Sequence, residues 1–397
     1  MLDDQFMSVA LKLAEKNLGN VAPNPAVGCV IVKNSILIGE GYTGIGGRPH
    51  AEIVALKNVK DSVCGATMYV TLEPCCHHGV TGPCVSEIIN AGIKRVVIAT
   101  IDPDERVSGK GIKTLKEAGI EVTYGIMQKE AEKLNIGFFL TKTLHRPFIT
   151  CKIATTLDGK IATFTGESKW ITSEDTRNWV HKLRAKYDAI MIGSNTLVND
   201  DPLLTCRLPG LEDRSPIRLI IDSQAKLKEK HNIAKTAGPK HHSMSFQSVT
   251  LESGSQCRGT GMTIGGNTGM TCVRAGNKVA TWIITNKEAK EKIKNINYLI
   301  VDSNNSGKVC LKTTMPKLVS EIGITRLLVE GGGELITELL KHNLIDRLII
   351  CRSGKILGND ATPFIANLGI QSINECYKFK KAEIIDCSDD VIEIWDR

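Results

Sequence analysis

The sequence predicts an α/β protein built from two domains. The chain has 397 residues, which is longer than one ordinary hydrophobic core supports. Short apolar strands alternate with helical stretches along most of it, a pattern typical of helices packed on a largely parallel sheet. A helical stretch ends near His145-Arg146-Pro147 and a new strand begins at Phe148. We therefore expect domains at residues 1–146 and 147–397.

The first half begins with an amphipathic helix. Its apolar side chains recur at helical spacing, at Met7, Ala10, Leu11, Ala14 and Leu18, and Gly19-Asn20 ends it. Further helices are expected at 51–59, 85–91 and 112–118, and strands at 27–32, 68–71, 95–99 and 121–124.

The second half repeats the alternation. Strands are expected at 148–154, 189–193, 217–222, 281–285, 298–302 and 327–330, with a helix at 335–340. Residues 241–277 are rich in Gly, Ser and Thr and lack apolar periodicity, so we interpret them as a flexible insertion. His241, His242, Cys257 and Cys272 lie in this segment, which leaves a second metal site as an alternative interpretation.

Composition disfavours several classes of protein. The net charge is +7, only 5% of residues are aromatic, and no basic run carries interleaved aromatics, so nucleic-acid binding is not expected. The acidic start is unlike a secretory signal, and no apolar run reaches the roughly 18 residues of a membrane span. Thirteen scattered cysteines indicate a reducing compartment, and we expect a cytoplasmic protein. Whether it forms a homo-oligomer is left open.

The strongest chemical signal is His50-Ala51-Glu52, followed by Pro74-Cys75 and Pro83-Cys84. Three protein ligands with a fourth position left for water are typical of a catalytic zinc site. We therefore predict that His50, Cys75 and Cys84 bind Zn²⁺, which lowers the pKa of its water to about 7. Glu52 is then free to act as the catalytic proton shuttle. The alternative is that these are core thiols and a surface histidine.

These motifs resemble the deaminase half of the bifunctional deaminase–reductase family of riboflavin biosynthesis. The resemblance includes residues 71–79 and the loop 24–28, and the long gap between Cys75 and Cys84 distinguishes it from cytidine and transfer-RNA adenosine deaminases. It implies a cytidine-deaminase-like α/β/α domain in which Asn24 contacts the substrate. Cys76, His77 and His78 are further potential ligands, but a fourth donor would close the zinc site, so we expect His77 to contact the substrate and Cys76 to have no role. Two departures are Val80, where the family usually has a basic residue, and Gly82, where it usually has Pro.

The second half carries weaker motifs that resemble the reductase half of the same family. They include Leu157-Asp158-Gly159-Lys160, Ser168-Lys169-Trp170, Asp200-Asp201-Pro202 and a Gly-rich turn between a strand and a helix, at 331–334. Such a turn lets backbone amides approach a pyrophosphate, although this one lacks GxGxxG. The resemblance implies a dihydrofolate-reductase-like α/β domain that uses NADPH.

The same resemblance implies the binding residues of the reductase. The cofactor residues would be Ala154, Trp170, Thr196, Asp200, Ser223, Gly332, Gly333, Glu334, Leu335, Ile336, Thr337 and Glu338. The substrate residues would be Ser168, Arg184, Leu204, Arg207 and Glu330. Arg184 and Arg207 suit a phosphate clamp, because guanidinium groups pair two phosphate oxygens.

The family's reactions define the expected function. The first hydrolytically deaminates 2,5-diamino-6-ribosylamino-4(3H)-pyrimidinone 5′-phosphate, and the second reduces the ribosyl group to give 5-amino-6-(5-phosphoribitylamino)uracil. A nucleic-acid base deaminase is disfavoured by the long gap between the cysteines. A zinc-stabilised scaffold is disfavoured by Glu52 and by the missing fourth ligand.

Overall fold

A computed structural model of the protein describes residues 2–79, 82–238, 278–289 and 291–397. The predicted insertion at 241–277, its alternative metal site and Val80 lie outside the described residues. Two separate sheets carry the helices, and the α/β prediction is confirmed in both halves. No described helix has the length and apolarity that a membrane span requires.

The first half contains a sheet of five strands in the order β2-β1-β3-β4-β5. Its strands are β1 (Gly28–Lys33), β2 (Ile36–Tyr42), β3 (Thr67–Val70), β4 (Arg95–Ile98) and β5 (Glu121–Tyr124). Its helices are α1 (Leu2–Glu15), α2 (Ala51–Asn58), α3 (Cys84–Asn90), α4 (Lys110–Glu117), α5 (Gln128–Leu134) and α6 (Ile136–Thr143), with a 3-10 turn at Ile45–Gly47.

Helices cover both faces of this first sheet. Met7 and Leu11 of α1 pack on one face with Val30 and Val97. Apolar residues of α2, α3 and α4, such as Ala55, pack on the other face. The burial of both faces explains why these strands read as continuous apolar runs in the sequence.

The prediction of a largely parallel sheet needs a correction here, because β1 is antiparallel to both of its neighbours. The strand β2 was not predicted. Its Gly39 and Gly41 interrupt the apolar pattern because they lie against α2, where a side chain at Gly41 would come within 2.4 Å of the Ala51 carbonyl oxygen. Only β3, β4 and β5 run parallel.

The described part of the second half forms a sheet of ten strands. Its main path is β10-β11-β9-β8-β13-β6-β14-β17-β16, and β12 pairs with β11. The ten strands are β6 (Phe148–Thr155), β8 (Ala189–Gly193), β9 (Ile217–Ile221), β10 (Ala237–Gly238), β11 (Val279–Thr285), β12 (Asn297–Ile300), β13 (Arg326–Val329), β14 (Arg347–Ser353), β16 (Lys380–Cys387) and β17 (Asp390–Asp396). Two further strands, β7 (Lys160–Ala162) and β15 (Thr362–Pro363), form a separate pair.

Helices lie between these strands. They are α7 (Glu174–Arg184), α8 (Ser194–Asp200), α9 (Asn232–Lys235), α10 (Leu311–Lys317) and α11 (Gly333–Lys341), with 3-10 turns at Glu212–Arg214 and Ile373–Glu375 and a π-helical turn at Leu318–Ile322. The central strands are parallel, whereas β14, β17 and β16 form an antiparallel edge. This edge was not predicted. Its strand β16 is largely exposed and half of its eight residues are charged, whereas the apolar run Leu348 to Cys351 of β14 was overlooked.

Candidate active sites

The first site is a cluster of three side chains that different elements bring together. His50 lies directly before α2, Cys84 begins α3, and Cys75 lies in the loop after β3. The Nδ1 atom of His50 lies 3.2 Å from Sγ of Cys84 and 3.6 Å from Sγ of Cys75. All three ligand atoms lie within 4.8 Å of one another. This is the one group of its kind in the described part of the chain.

The donor chemistry of this cluster fits a zinc ion. A hydrogen bond from Cys84 lowers the pKa of Cys75 to about 4, and the same contact raises the pKa of Cys84. One imidazole and two thiolates are a preferred ligand set for Zn²⁺, which binds cysteine in its deprotonated form.

Glu52 lies beside the cluster in the first turn of α2 and is 4% exposed. Burial raises the pKa of its carboxyl group, against the opposing attraction of His50. The side chain also forms a hydrogen bond with Cys84. A buried carboxyl group next to the ligands can therefore exchange protons with a molecule bound at the metal.

Glu73 supports this site, although the sequence analysis assigned it no role. Its buried carboxylate accepts hydrogen bonds from the backbone N–H groups of Asp102 (3.3 Å), Gly109 (2.9 Å) and Ile112 (3.1 Å). It thereby ties the chain next to Cys75 to the loop that precedes α4. A buried acid directly before a Pro-Cys pair is the signal that could have identified it.

Two predicted substrate residues border the cluster. Asn24 packs against Gly47 and donates a hydrogen bond to the carbonyl oxygen of Gly46 at 3.3 Å. Nδ1 of His77 is buried and has no hydrogen-bond partner among the described residues, so it is available to a ligand. Cys76, for which no role was expected, lies 3.8 Å from the carbonyl oxygen of Arg106.

A cation near this site was missed by the sequence analysis. Nη2 of Arg48 would lie 3.5 Å from a Cβ atom built on Gly79, so the side chain extends from the loop before His50 toward the segment after His77. The pKa of His50 is raised, chiefly by its hydrogen bond with Cys75, and the positive charge of Arg48 opposes that rise only in part. Arg48 therefore places a positive charge next to Gly79, the residue before Val80, and close to the cluster.

The second site is a cavity of about 1140 Å³ in the second half. It opens at the carboxyl ends of neighbouring parallel strands, which is the usual ligand position in such sheets. Its volume exceeds the upper end of the roughly 300–1,000 Å³ common for single ligands, so cofactor and substrate can fit together. The predicted residues that line it are Ala154, Ser168, Trp170, Arg184, Thr196, Asp200, Leu204, Arg207, Ser223, Glu330, Gly332, Gly333, Glu334, Leu335, Ile336 and Glu338.

Thr337 is the predicted cofactor residue that does not line the cavity. It is 2% exposed, and its hydroxyl group donates to the carbonyl oxygen of Gly333 at 2.6 Å and accepts from the N–H group of Ala366 at 2.8 Å. In this structure Thr337 therefore stabilises the start of α11.

The Gly-rich turn before α11 has positive φ angles, +116° at Gly331 and +79° at Gly332. A Cβ atom on Gly331 would lie only 3.2 Å from the methyl carbon of Thr196. Glycine is needed here for both the conformation and the close approach. The open backbone lies at the amino end of α11, where N–H groups can bind a phosphate.

Arg184 and Glu330 form a bidentate ion pair within the cavity wall. Nη1 of Arg184 also donates to the carbonyl oxygen of Thr205 at 2.9 Å. Most N–H groups of Arg184 therefore already have protein acceptors. Arg184 and Arg207 cannot bind a phosphate equally, as the predicted clamp would require. The guanidinium group of Arg207 donates one hydrogen bond among the described residues, from Nη1 to the hydroxyl group of Thr205 at 3.3 Å, so its other N–H groups can bind a ligand.

His181 and Lys152 also line the cavity, and the sequence analysis missed both as site residues. Burial, followed by the charges of Arg184 and Arg207, lowers the pKa of His181 to about 4. His181 is therefore neutral at pH 7. It lies on the same side of α7 as Arg184, at a spacing of three residues.

Trp170, Ser168 and Asp200 lie together at another part of the cavity. The hydroxyl group of Ser168 donates to Asp200 Oδ1 at 3.1 Å. Trp170 is 63% exposed, and the guanidinium carbon of Arg177 lies 4.5 Å from the centre of its ring. An exposed indole ring held over a cavity is a surface on which a flat ligand can stack.

Comparison with protein families also assigns different families to the two halves of the chain. Residues 1–100 match the cytidine and deoxycytidylate deaminase zinc-binding region. Residues 147–392 match the RibD C-terminal domain. The zinc-binding region contains the cluster of His50, Cys75 and Cys84, and the second match contains the cavity.

Complete relatives are similar along their whole length. The riboflavin biosynthesis protein RibD of Aquifex aeolicus is 38% identical over 100% of this chain and 99% of its own. That of Escherichia coli is 36% identical over 98% of both chains. The crystal structure of a diaminohydroxyphosphoribosylaminopyrimidine deaminase/5-amino-6-(5-phosphoribosylamino)uracil reductase from Thermotoga maritima has a TM-score of 0.81 and 33% identity, covering 100% of this chain and 98% of its own. RibD of Acinetobacter baumannii has a TM-score of 0.82 and 31% identity with the same coverage.

A zinc-type deaminase cluster thus lies in the first half and a large ligand cavity in the second, in a chain whose relatives match both. The chain belongs to the RibD family and is a bifunctional enzyme of riboflavin biosynthesis, with a zinc-binding deaminase and a reductase in one polypeptide.

Proposed function

We propose that this enzyme deaminates 2,5-diamino-6-ribosylamino-4(3H)-pyrimidinone 5′-phosphate and then reduces the ribosyl group of the product with NADPH. The observation that carries the proposal is the cluster of His50, Cys75 and Cys84 with the buried Glu52 beside it. The cavity with its Gly-rich turn supports the second reaction. We further propose that the domains meet between Arg146 and Pro147 and that the enzyme acts in the cytoplasm.

In the deaminase, His50, Cys75 and Cys84 would hold Zn²⁺, which supplies a Lewis acid that makes a water molecule acidic. Glu52 would accept one proton from the attacking water and pass it to the ring nitrogen, and would then move the second water proton from the new hydroxyl group to the leaving amino group. Hydrolysis replaces the 2-amino group by oxygen and releases ammonia. Asn24 and His77 would orient the pyrimidine.

The substrate phosphate requires a positive partner in the deaminase site. We propose that Arg48 supplies it, since its guanidinium group lies against the segment that ends at Gly79 and Val80 offers no charge. A charge-assisted hydrogen bond of this kind contributes about 1.5–3 kcal/mol when partly shielded from water.

In the reductase, NADPH would supply the hydride. The glycine turn and residues 332–336 and 338 would hold the cofactor, with Ala154, Trp170, Thr196, Asp200 and Ser223 as further contacts. Ser168, Leu204, Arg207, Arg184 and Glu330 would bind the deaminated substrate. Arg207 would make the main phosphate contact, and Arg184 would contribute the N–H groups that Glu330 leaves free.

One experiment tests both reactions. Purified enzyme is supplied with the pyrimidine phosphate, and ammonia release and NADPH absorbance at 340 nm are followed in parallel. We expect ammonia first and NADPH oxidation after it, with little oxidation of NADH. Ammonia release from cytidine or from single-stranded nucleic acid, without release from the pyrimidine phosphate, would contradict the proposal.

A further inference from the structure

An arginine of the second half caps the first helix of the deaminase half. Arg214 donates to the carbonyl oxygens of Lys16 at 3.0 Å and Leu18 at 2.8 Å. Its Nε lies 3.0 Å from the side-chain oxygen of Asn20, in the amide orientation that satisfies both polar atoms of that side chain. These carbonyls follow the end of α1, where backbone acceptors lack helical partners and the helix dipole favours a cation.

The segment that Arg214 holds leads to the substrate side of the deaminase site. The carbonyl oxygen of Asn20 accepts a hydrogen bond from the N–H group of Gly46 at 2.8 Å. The amide of Asn24 donates to the carbonyl oxygen of the same Gly46 at 3.3 Å. A Cβ atom on Gly47 would lie 2.0 Å from the Asn24 amide nitrogen, so these two residues are in close contact. The loop at 46–47 runs directly into the zinc ligand His50.

The other side of this segment lies against the reductase half. Gly19 has a φ angle of +86°, and a Cβ atom there would lie 2.7 Å from the carbonyl oxygen of Ala185, the residue after Arg184. A Cβ atom on Gly323 would lie 3.5 Å from the ring of Pro23. Residues 19–24 are therefore enclosed between the reductase half and the 46–47 loop, and their position depends on both.

We propose that Arg214 is a positioning residue of the deaminase, supplied by the reductase half. It holds Asn20, and through Asn20 it holds Asn24 and the 46–47 loop in the arrangement that receives the pyrimidine. Arg214 contacts neither the zinc ligands nor Glu52 in this structure, so its effect is on substrate binding and not on the chemical step. This inference rests on the proposed function only where it names the pyrimidine as the ligand.

The first test does not depend on any substrate. Hydrogen–deuterium exchange is measured on the full-length enzyme and on Arg214→Met, which keeps the length of the side chain but removes its donors. We expect faster exchange at residues 20–24 and at the amides of Gly46 and Gly47, with little change in the strands of the first sheet. Lys230→Met, which alters an exposed basic side chain outside the cavity, is the matched control and should change neither region.

The second test separates positioning from general stability. For Arg214→Met we expect KM for ammonia release to rise about fivefold or more, kcat to stay within about twofold, and one zinc per chain to be retained. Arg214→Lys should recover only part of the loss, because one ammonium group cannot serve three acceptors in a fork. Gly19→Ala, which pushes the same segment away from Ala185, should raise KM in the same way.

The outcomes are distinct. If KM and the exchange of Gly46 are both unchanged in Arg214→Met, the segment does not need Arg214 and the inference is wrong. If zinc is lost and kcat falls together with KM, Arg214 maintains the fold, and the positioning role is again refuted. If the wild-type enzyme releases no ammonia, the proposed function fails, while the exchange data still decide the role of Arg214.

Discussion

Arg184 and Glu330 form two parallel hydrogen bonds, Nε to Oε1 at 2.7 Å and Nη2 to Oε2 at 2.8 Å, that join the end of α7 to the end of β13. Burial opposes ionisation of Glu330, but the charge of Arg184 and the hydrogen bonds from it outweigh burial and hold the pKa of the carboxyl group at about 2. The side chains are only 12% and 9% exposed. The pair therefore stabilises the wall of the reductase cavity before any ligand binds.

Glu330→Gln should destabilise the second half by about 3 kcal/mol or more, because it leaves the Arg184 charge buried without its partner. Urea unfolding followed by tryptophan fluorescence is the appropriate measurement, since Trp170, Trp179, Trp282 and Trp395 all lie after residue 147. Lys341→Gln is the control, because it lies in the same half and its ion pair with Glu338 is exposed and should contribute less than about 1 kcal/mol. Equal losses of unfolding free energy in the two variants would show that the buried ion pair stabilises the protein no more than the exposed one.

The stability of the second half should also fall in mild acid because of His181. Its pKa in the folded protein is about 4, below its ordinary value of 6.5, so the unfolded chain takes up a proton more readily. The stability that neutral His181 contributes is therefore fully present above pH 6.5 and is lost as the pH falls from 6.5 through 4. Since His181 is only half-buried, we expect the loss to be at most about 2 kcal/mol.

His181→Asn should flatten this part of the pH profile, as measured by the same urea unfolding at intervals between pH 7 and pH 4. Arg184, Arg207 and Glu330 face His181 and do not change their charge across most of this range. His145→Asn is the control, because His145 is exposed and its positive φ of 53° is one that asparagine tolerates. Parallel pH profiles for His181→Asn and the wild type would show that His181 does not cause the loss of stability in mild acid.

Glu52→Gln should keep about one zinc per chain and lower ammonia release by at least about a hundredfold, because the amide cannot shuttle a proton. Atomic absorption gives the metal content, and a coupled ammonia assay gives the rate. Glu73→Gln is a useful comparison, because Glu73 is an equally buried acid that binds three backbone N–H groups and should affect stability first. Loss of zinc from Glu52→Gln would mean that Glu52 is a ligand and not a shuttle.

The two reactions should be separable by single substitutions. Cys84→Ser should remove zinc and abolish ammonia release, yet leave reduction of the deaminated intermediate within about twofold of the wild type, because the cavity lies on a different sheet. Arg207→Ala should weaken the reductase by roughly tenfold or more in KM and leave ammonia release intact. Each variant is assayed with each substrate separately. Loss of both activities in a folded Cys84→Ser would show that reduction depends on the metal site of the first half.

Deleting residues 241–277 should leave both activities largely intact, because we interpret this segment as an insertion. The ends to be joined are close, since a Cβ atom on Gly238 would lie 2.9 Å from Cβ of Lys278. A short Gly-Ser linker can therefore connect β10 to β11. The measurements are both activities and the tryptophan-monitored stability. Failure of the deletion variant to fold, when a scrambled segment of equal length does fold, would show that the segment's length is needed.

Much of the fold followed from local patterns. Buried strands such as β1, β8 and β13 were predictable because both faces are covered and their residues are continuously apolar. The strand β2 was missed because glycines packed against α2 interrupt its apolar pattern, and β16 was missed because it is exposed and half of its residues are charged. The existence of β2 and β16 depends on the elements next to them, whereas the apolar run of β14 was present in the sequence and was overlooked.

The sequence by itself identified the group of His50, Cys75 and Cys84 that the structure brings together, because the chemistry of a catalytic zinc site limits the residue types and because His50-Ala51-Glu52 and the two Pro-Cys pairs are local motifs. Only the tertiary structure decided that Arg184 is bound to Glu330, that His181 is neutral and that Arg214 reaches across to the end of α1. These side chains meet partners up to 198 positions away in the chain. The charge and the free donors of an arginine or a histidine depend on such partners and on burial, and neither can be read from the neighbouring residues.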